Sequence, residues 1–264
     1  MARREKNRKA THNLPKNQKH FKRIENELNQ QLLVILACEG EKTERYYFES
    51  LFDLLKKARA LTKTSCVFAP HQHTNPTGVL ADLIAFQDDV RRTYKDYDHR
   101  WIVIDRDEER CGGGGHTLQD FNDAISRASS KRPKVEVAWS NPSFEIWYLL
   151  HLQYQNTAIE RDQVNTSLSR ALTTIYEKND QTMFSRLQLK LNDAIRNAKR
   201  LHNEAKEAGT LPAATNPGTT VYELVTLLLS LQTPPQEAET LQPTEIDSTP
   251  VLQLETESNQ AQHR

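Results

Sequence analysis

Two uninterrupted apolar runs, residues 32–37 and 101–104, limit what this chain can fold into. Short apolar runs bounded by polar sequence suit strands covered on both faces, as in a parallel sheet between layers of helices. Each run ends in acid. The first is followed by Cys38-Glu39-Gly40-Glu41-Lys42-Thr43-Glu44 and the second by Asp105-Arg106-Asp107. In one parallel sheet these exits share the carboxyl edge, where open α/β sheets bind their ligands.

The remaining periodicity supplies the rest of such a sheet. Tyr47, Phe48, Leu51, Phe52, Leu54 and Leu55 recur at helical spacing, so residues 43–60 read as a helix. A short strand at 65–69 precedes a helix at 78–94 with Val79, Leu83, Ile84, Phe86 and Val90 on its apolar side. After the run at 101–104 come a loop, a helix at 117–129, a strand at 135–139 and a helix over 143–152. Strands alternating with helices predict an α/β fold: a mostly parallel four-stranded sheet flanked by helices. From residue 156 the pattern is helical, with one stripe of Phe184, Leu187, Leu191, Ile195, Ala198 and Leu201 and another of Val221, Leu224, Val225 and Leu228.

At 264 residues the chain suits one substantial core, and 37% hydrophobic with 27% charged residues implies that part of it lies outside that core. The ends fit this. Residues 1–23 hold nine Lys or Arg and one Glu, and residues 233–264 hold six acidic residues and one Arg, although the net charge is zero. Neither end has a periodic apolar pattern, so both read as disordered. The expected organisation is a basic arm at 1–28, an α/β core at 29–155, a helical portion at 156–232 packing on that core, and an acidic tail at 233–264. The arm would add salt-sensitive affinity for nucleic acid, or serve only as a solubilising tail. The basic residues Arg186, Lys190, Arg196, Lys199, Arg200 and Lys206 share their helix face with Asp193 and Glu204 and read as ordinary solvated surface.

Cys38, Cys66 and Cys111 are an odd count without pair spacing, which argues against a disulfide framework or zinc site and suits a reducing cytoplasm. No run approaches the roughly 20 apolar residues of a membrane span, and no signal peptide is evident. The expectation is a cytoplasmic protein without a membrane partner.

Asp105 and Asp107, one residue apart at a strand exit, can face a shared divalent cation, since Mg²⁺ takes oxygen ligands and is usually bound through one or two carboxylates plus substrate phosphate. Glu39 could ligate as well, or act as general base on a nucleophilic water. Lys42 could neutralise charge developing on a phosphate. Acidic residues also begin loops and cap helices, but two matching exits favour a shared site. In Ser140-Asn141-Pro142-Ser143-Phe144-Glu145, Asn141 reads as a helix N-cap and Pro142 as the first helical residue. Glu145 then falls in a helix that Phe144, Ile146, Trp147, Leu149 and Leu150 make apolar nearly all round. Such a carboxylate must be paired, protonated or bound to metal, and it is a candidate further ligand. Gly112 to Gly115 lacks the Lys-Ser/Thr ending of a P-loop, so ATP hydrolysis is not expected. His71 and His73 could touch substrate, although loop histidines are more often solvated.

An acidic residue plus Gly after the first strand and Asp-x-Asp after the third resemble the Toprim domain of topoisomerases, bacterial primases and the overcoming-lysogenization-defect nucleases. More narrowly, the segment 38–44 with Tyr47-Phe48, Asp105-Arg106-Asp107, the segment 140–145 with Trp147 and Leu149-Leu150-His151, and Asn216-Pro217 with Thr219-Thr220-Val221 resemble the RloB family over roughly residues 30–230. Arg45 and Tyr46 stand where many relatives have Pro-Asn, a departure that touches the local helix start and not the carboxylates. The resemblance implies a Toprim-like sheet, Glu39 at the acidic base position and Asp105 and Asp107 as the metal pair. It also implies a bacterial protein of restriction or phage-defence (abortive-infection) loci, in some cases beside a separate ATPase subunit. The chain has no room for a topoisomerase gate domain, and its cysteines cannot build a primase zinc module. The leading expectation is therefore a Mg²⁺- or Mn²⁺-dependent nuclease acting on DNA or RNA. The alternative is a non-catalytic subunit that binds nucleic acid or an ATPase partner, and a third is a domain binding a phosphorylated metabolite. On the nuclease reading, Asp105→Ala removes cleavage and leaves the fold intact, because it relieves carboxylate repulsion.

Overall fold

The computed structural model describes residues 32–57, 66–108 and 115–231. The basic arm at 1–28, the acidic tail at 233–264, Cys111 and most of the Gly run at 112–115 lie outside the described residues, as do the ends assigned above to the first helix and second strand.

Five strands, β1 (Val34–Cys38), β2 (Cys66–Phe68), β3 (His99–Asp105), β4 (Glu136–Asn141) and β5 (Gly218–Thr219), form one sheet in the order β2-β1-β3-β4-β5. The first four are parallel, with Leu36 opposite Trp101 and Ile102 opposite Val137. The α/β, mostly parallel sheet expected from the apolar runs is present, with β5 as an addition. β5 pairs antiparallel with the end of β4, Ser140 opposite Thr219. It has two residues and follows Asn216-Pro217, so it carries no periodicity to read.

Eight α-helices are described: α1 (Thr43–Lys57), α2 (Pro76–Ala85), α3 (Leu118–Ser130), α4 (Glu145–Leu152), α5 (Arg161–Leu172), α6 (Met183–Leu187), α7 (Leu191–Glu207) and α8 (Val221–Ser230). Strand alternation divides the core into two layers. Val34, Leu36, Trp101 and Val103 face a cluster containing Phe48, Leu51, Trp147, Ala194, Ala198 and Leu224 from α1, α4, α7 and α8. Ile35, Ala37, Ile102 and Ile104 face Val79, Leu83, Phe121 and Ala124 from α2 and α3. Both faces are covered, which is why the strands read as unbroken apolar runs.

Three helix expectations are revised. The helix placed at 78–94 runs only over Pro76–Ala85: Phe86 leaves helical backbone, Val90 is 70% exposed, and Asp88 accepts hydrogen bonds from the backbones of Val90 and Arg92 in a tight turn. The single stripe over 184–206 is split into α6 and α7 by a 3₁₀ turn at Gln188–Lys190, which leaves Leu189 exposed. Asn141 is not an N-cap but the last residue of β4, its side-chain amide donating to the Ala213 carbonyl at 3.3 Å. The Asn141-Pro142 peptide is cis, and α4 begins three residues later, after Phe144.

Candidate functional site

Glu39, Lys42, Asp105, Asp107 and Glu145, drawn from three separate motifs, line one cleft of about 530 Å³ beyond the carboxyl ends of β1 and β3. Parallel strands bring the first two motifs to one edge, and the turn after β4 brings the third.

The carboxylates are linked through the backbone. Glu39 Oε2 accepts a hydrogen bond from the Asp105 N–H at 3.0 Å, tying the exit of β1 to that of β3. Asp105 Oδ2 accepts from the Phe144 N–H at 3.0 Å, so the acid at the end of β3 caps the start of α4. Its Oδ1 is buried and has no hydrogen-bond partner. Glu145 is 2% exposed and its Oε1 accepts from the Tyr176 hydroxyl at 3.2 Å. Tyr176 lies between α5 and α6, so the helical portion supplies the partner that a carboxylate in apolar α4 requires.

Several participants lay outside the sequence expectation. Glu44, in the first turn of α1, is 4% exposed and lines the same cleft. Its position was readable: Glu44, Tyr47, Phe48 and Leu51 are spaced three and four apart, which puts a carboxylate on the buried stripe, as with Glu145. Gly40 makes room for it, since a Cβ there would collide with the Glu44 carboxylate. Arg161, the first residue of α5, donates from Nη1 to Asp107 Oδ2 at 2.7 Å and from Nη2 to Asp105 Oδ2 at 3.3 Å. No local motif marks it, because it opens an ordinary polar helix start more than fifty residues from its partners. Buried His116 stacks on Phe121 and donates from Nε2 to the Asp105 carbonyl at 2.7 Å, standing 3.7 Å from Glu39 Oε1. His71 Nε2 lies 3.0 Å from the Glu39 carbonyl, and His73 Nδ1 pairs with the buried Asp82 carboxylate at 2.6 Å. These loop histidines are pinned by partners, which a reading of them as merely solvated does not foresee.

The electrostatics follow from burying several acids together. Burial holds the Asp105 carboxyl well above its ordinary range, with Glu44 and Glu39 pushing the same way and Arg161 opposing. Burial likewise raises Glu39, against the hydrogen bond from the Asp105 backbone. Glu44 is raised by burial, with Glu145 adding to it. Burial works against the charge on Arg161, but Asp105 and Asp107 outweigh it and keep the guanidinium firmly protonated.

Among the described residues, no three His, Cys, Asp or Glu side chains converge into a ready metal cage. The guanidinium of Arg161 spans Asp105 and Asp107 instead. The donor chemistry nevertheless fits a divalent cation: the candidate ligands are all oxygen, and a buried Asp105 oxygen lacks any partner.

Fold and cleft together define an α/β protein whose candidate ligand site lies beyond the carboxyl ends of parallel strands. The sequence matches the RloB-like protein family over residues 34–228, which includes every cleft residue named above, and the chain belongs to that family. Searches of curated proteins and of solved structures returned no match. Among the described residues no helix is long and apolar enough to cross a membrane.

Proposed function

We propose that this protein is a Mg²⁺- or Mn²⁺-dependent nuclease that hydrolyses phosphodiester bonds in DNA or RNA. The observation that carries the reading is the gathering of Glu39, Asp105, Asp107, Glu145 and Lys42 on one cleft, where a buried Asp105 oxygen lacks a partner. When bound, a divalent cation would stabilise charge on the phosphate and lower the pKa of a nearby water. Asp105 and Asp107 would hold it, with Glu145 as a further ligand. Glu39, whose pKa is raised by burial, would take the proton of the attacking water. Lys42, exposed at the rim, would bind the phosphate and offset its growing charge. The chain belongs to the RloB-like family, and the setting that the resemblance implies for this activity is bacterial anti-phage defence, in some cases beside a separate ATPase subunit.

The test is cleavage of single- and double-stranded DNA and of RNA by the purified full chain, with and without an ATPase partner, in Mg²⁺, Mn²⁺ or EDTA. Cation-dependent cleavage should fall by about 10²-fold or more in Asp105→Asn. No cation-dependent cleavage of any substrate would overturn the reading.

One observation favours a second reading. Because Arg161 already spans the two aspartates, the cleft could serve a non-catalytic subunit that binds nucleic acid or an ATPase partner. Such a subunit would keep its function after Glu39→Gln and Asp107→Asn, whereas a nuclease would lose it.

A further inference from the structure

Among the described residues, the cleft holds one largely buried cationic side chain amid its carboxylates. Lys42 and Lys178 are exposed at the rim, whereas the Arg161 side chain is 23% exposed and lies between Asp105 and Asp107. We propose that Arg161 is a resident counter-ion: it occupies the place of a divalent cation between Asp105 and Asp107, and turns to a phosphate oxygen of the substrate when that cation binds. The proposal rests on the cation-dependent reading above.

Three observations support the exchange. The guanidinium satisfies only Oδ2 of Asp105 and leaves the buried Oδ1 without a partner, so its compensation is incomplete. A cation offering several coordination positions can reach both oxygens. Among the described residues, the two aspartates are the groups to which Arg161 is hydrogen-bonded, so a cation that takes them releases the guanidinium. Its backbone is meanwhile fixed, because Glu160 and Gln163 form a reciprocal capping box at the start of α5. The side chain can therefore turn without moving the helix. Once released into a cleft that also presents Lys42, the planar fork suits two oxygens of a phosphate.

The exchange predicts opposite effects on two ligands. In calorimetric titration of the full chain without nucleic acid, Arg161→Gln should bind Mn²⁺ about ten-fold tighter than the parent, since a competing positive charge is gone. With Ca²⁺ in place of a catalytic cation, the same variant should bind a short oligonucleotide about ten-fold more weakly. A purely structural arginine would loosen metal binding when removed. Arg161→Lys guards against a folding defect: its ammonium cannot span both carboxylates, so Mn²⁺ should bind more tightly here too, by a smaller factor. Unchanged or weaker Mn²⁺ affinity in both variants overturns the counter-ion role and leaves the cation reading standing. No Mn²⁺ binding by parent or variants overturns both.

Discussion

His151 shows what burial does to one side chain away from the cleft. It is 1% exposed, its Nδ1 donates to the Trp147 carbonyl at 2.9 Å, and its Nε2 lies 3.5 Å from the Tyr47 hydroxyl. Burial lowers its pKa to about 4, against the pull of the Trp147 carbonyl and of Asp193. The unfolded chain takes up this proton near pH 6.5 and the folded chain does not, so the contribution is complete above that pH and is lost as pH falls toward 4. His151→Gln removes the titration. Relative to the variant, the parent should lose about 3 kcal/mol of stability between pH 7 and pH 4 in denaturant melts. At this scale most of the cleft was legible. Glu39, Asp105, Asp107 and Glu145 stood out because acid at a strand exit or in an apolar helix has few cheap explanations. Glu44 needed only its helical phase to be read, while Arg161 is set by tertiary contact alone.

Elements explain why the aspartate at the end of β3 is more than a candidate ligand. Asp105 accepts from the first backbone N–H leading into α4, a capping role filled from another element because Phe144 has no capping side chain. The expectation that Asp105→Ala leaves the fold untouched therefore needs amendment. Relief of repulsion with Glu39 and Glu44 is offset by an uncapped helix start, a cost of about 1 kcal/mol, and by a partly stranded Arg161. Asp105→Asn keeps an acceptor for Phe144 while removing the charge. Thermal melts without metal should place Asp105→Asn above Asp105→Ala. The strands were readable because burial on both faces makes them continuous. The 3₁₀ break before α7 was not, since its apolar stripe runs through the break, and β5 was too short to carry a pattern.

Across the whole molecule, the proposed reading sets proton and divalent cation in competition for the same acids. Glu39 and Asp105 have pKa values raised in the folded protein, so their contribution to stability is complete below the ordinary carboxylate range near pH 4 and is lost as pH rises through the raised values. A divalent cation binds their ionised forms, which fixes the sign of the coupling. The rise in melting temperature on adding saturating Mg²⁺ should be larger at pH 8 than at pH 5.5, and an equal or reversed ordering in scanning calorimetry would argue against these acids as the ligands.

The order of the cleft residues along the chain has a consequence for synthesis. Glu39, Glu44, Asp105 and Glu145 are made first, and Arg161 and Tyr176, which bind Asp105 and Glu145, follow. The layer containing Val34, Leu36 and Val103 is closed by α7 and α8, and β5 completes the sheet. A chain emerging from the ribosome thus carries a cluster of like charges at the edge of a sheet whose face is only partly covered until its last third appears. Release of a chain stopped near residue 155 should yield an aggregation-prone fragment, which sedimentation of the released product would show, rather than a soluble partial fold.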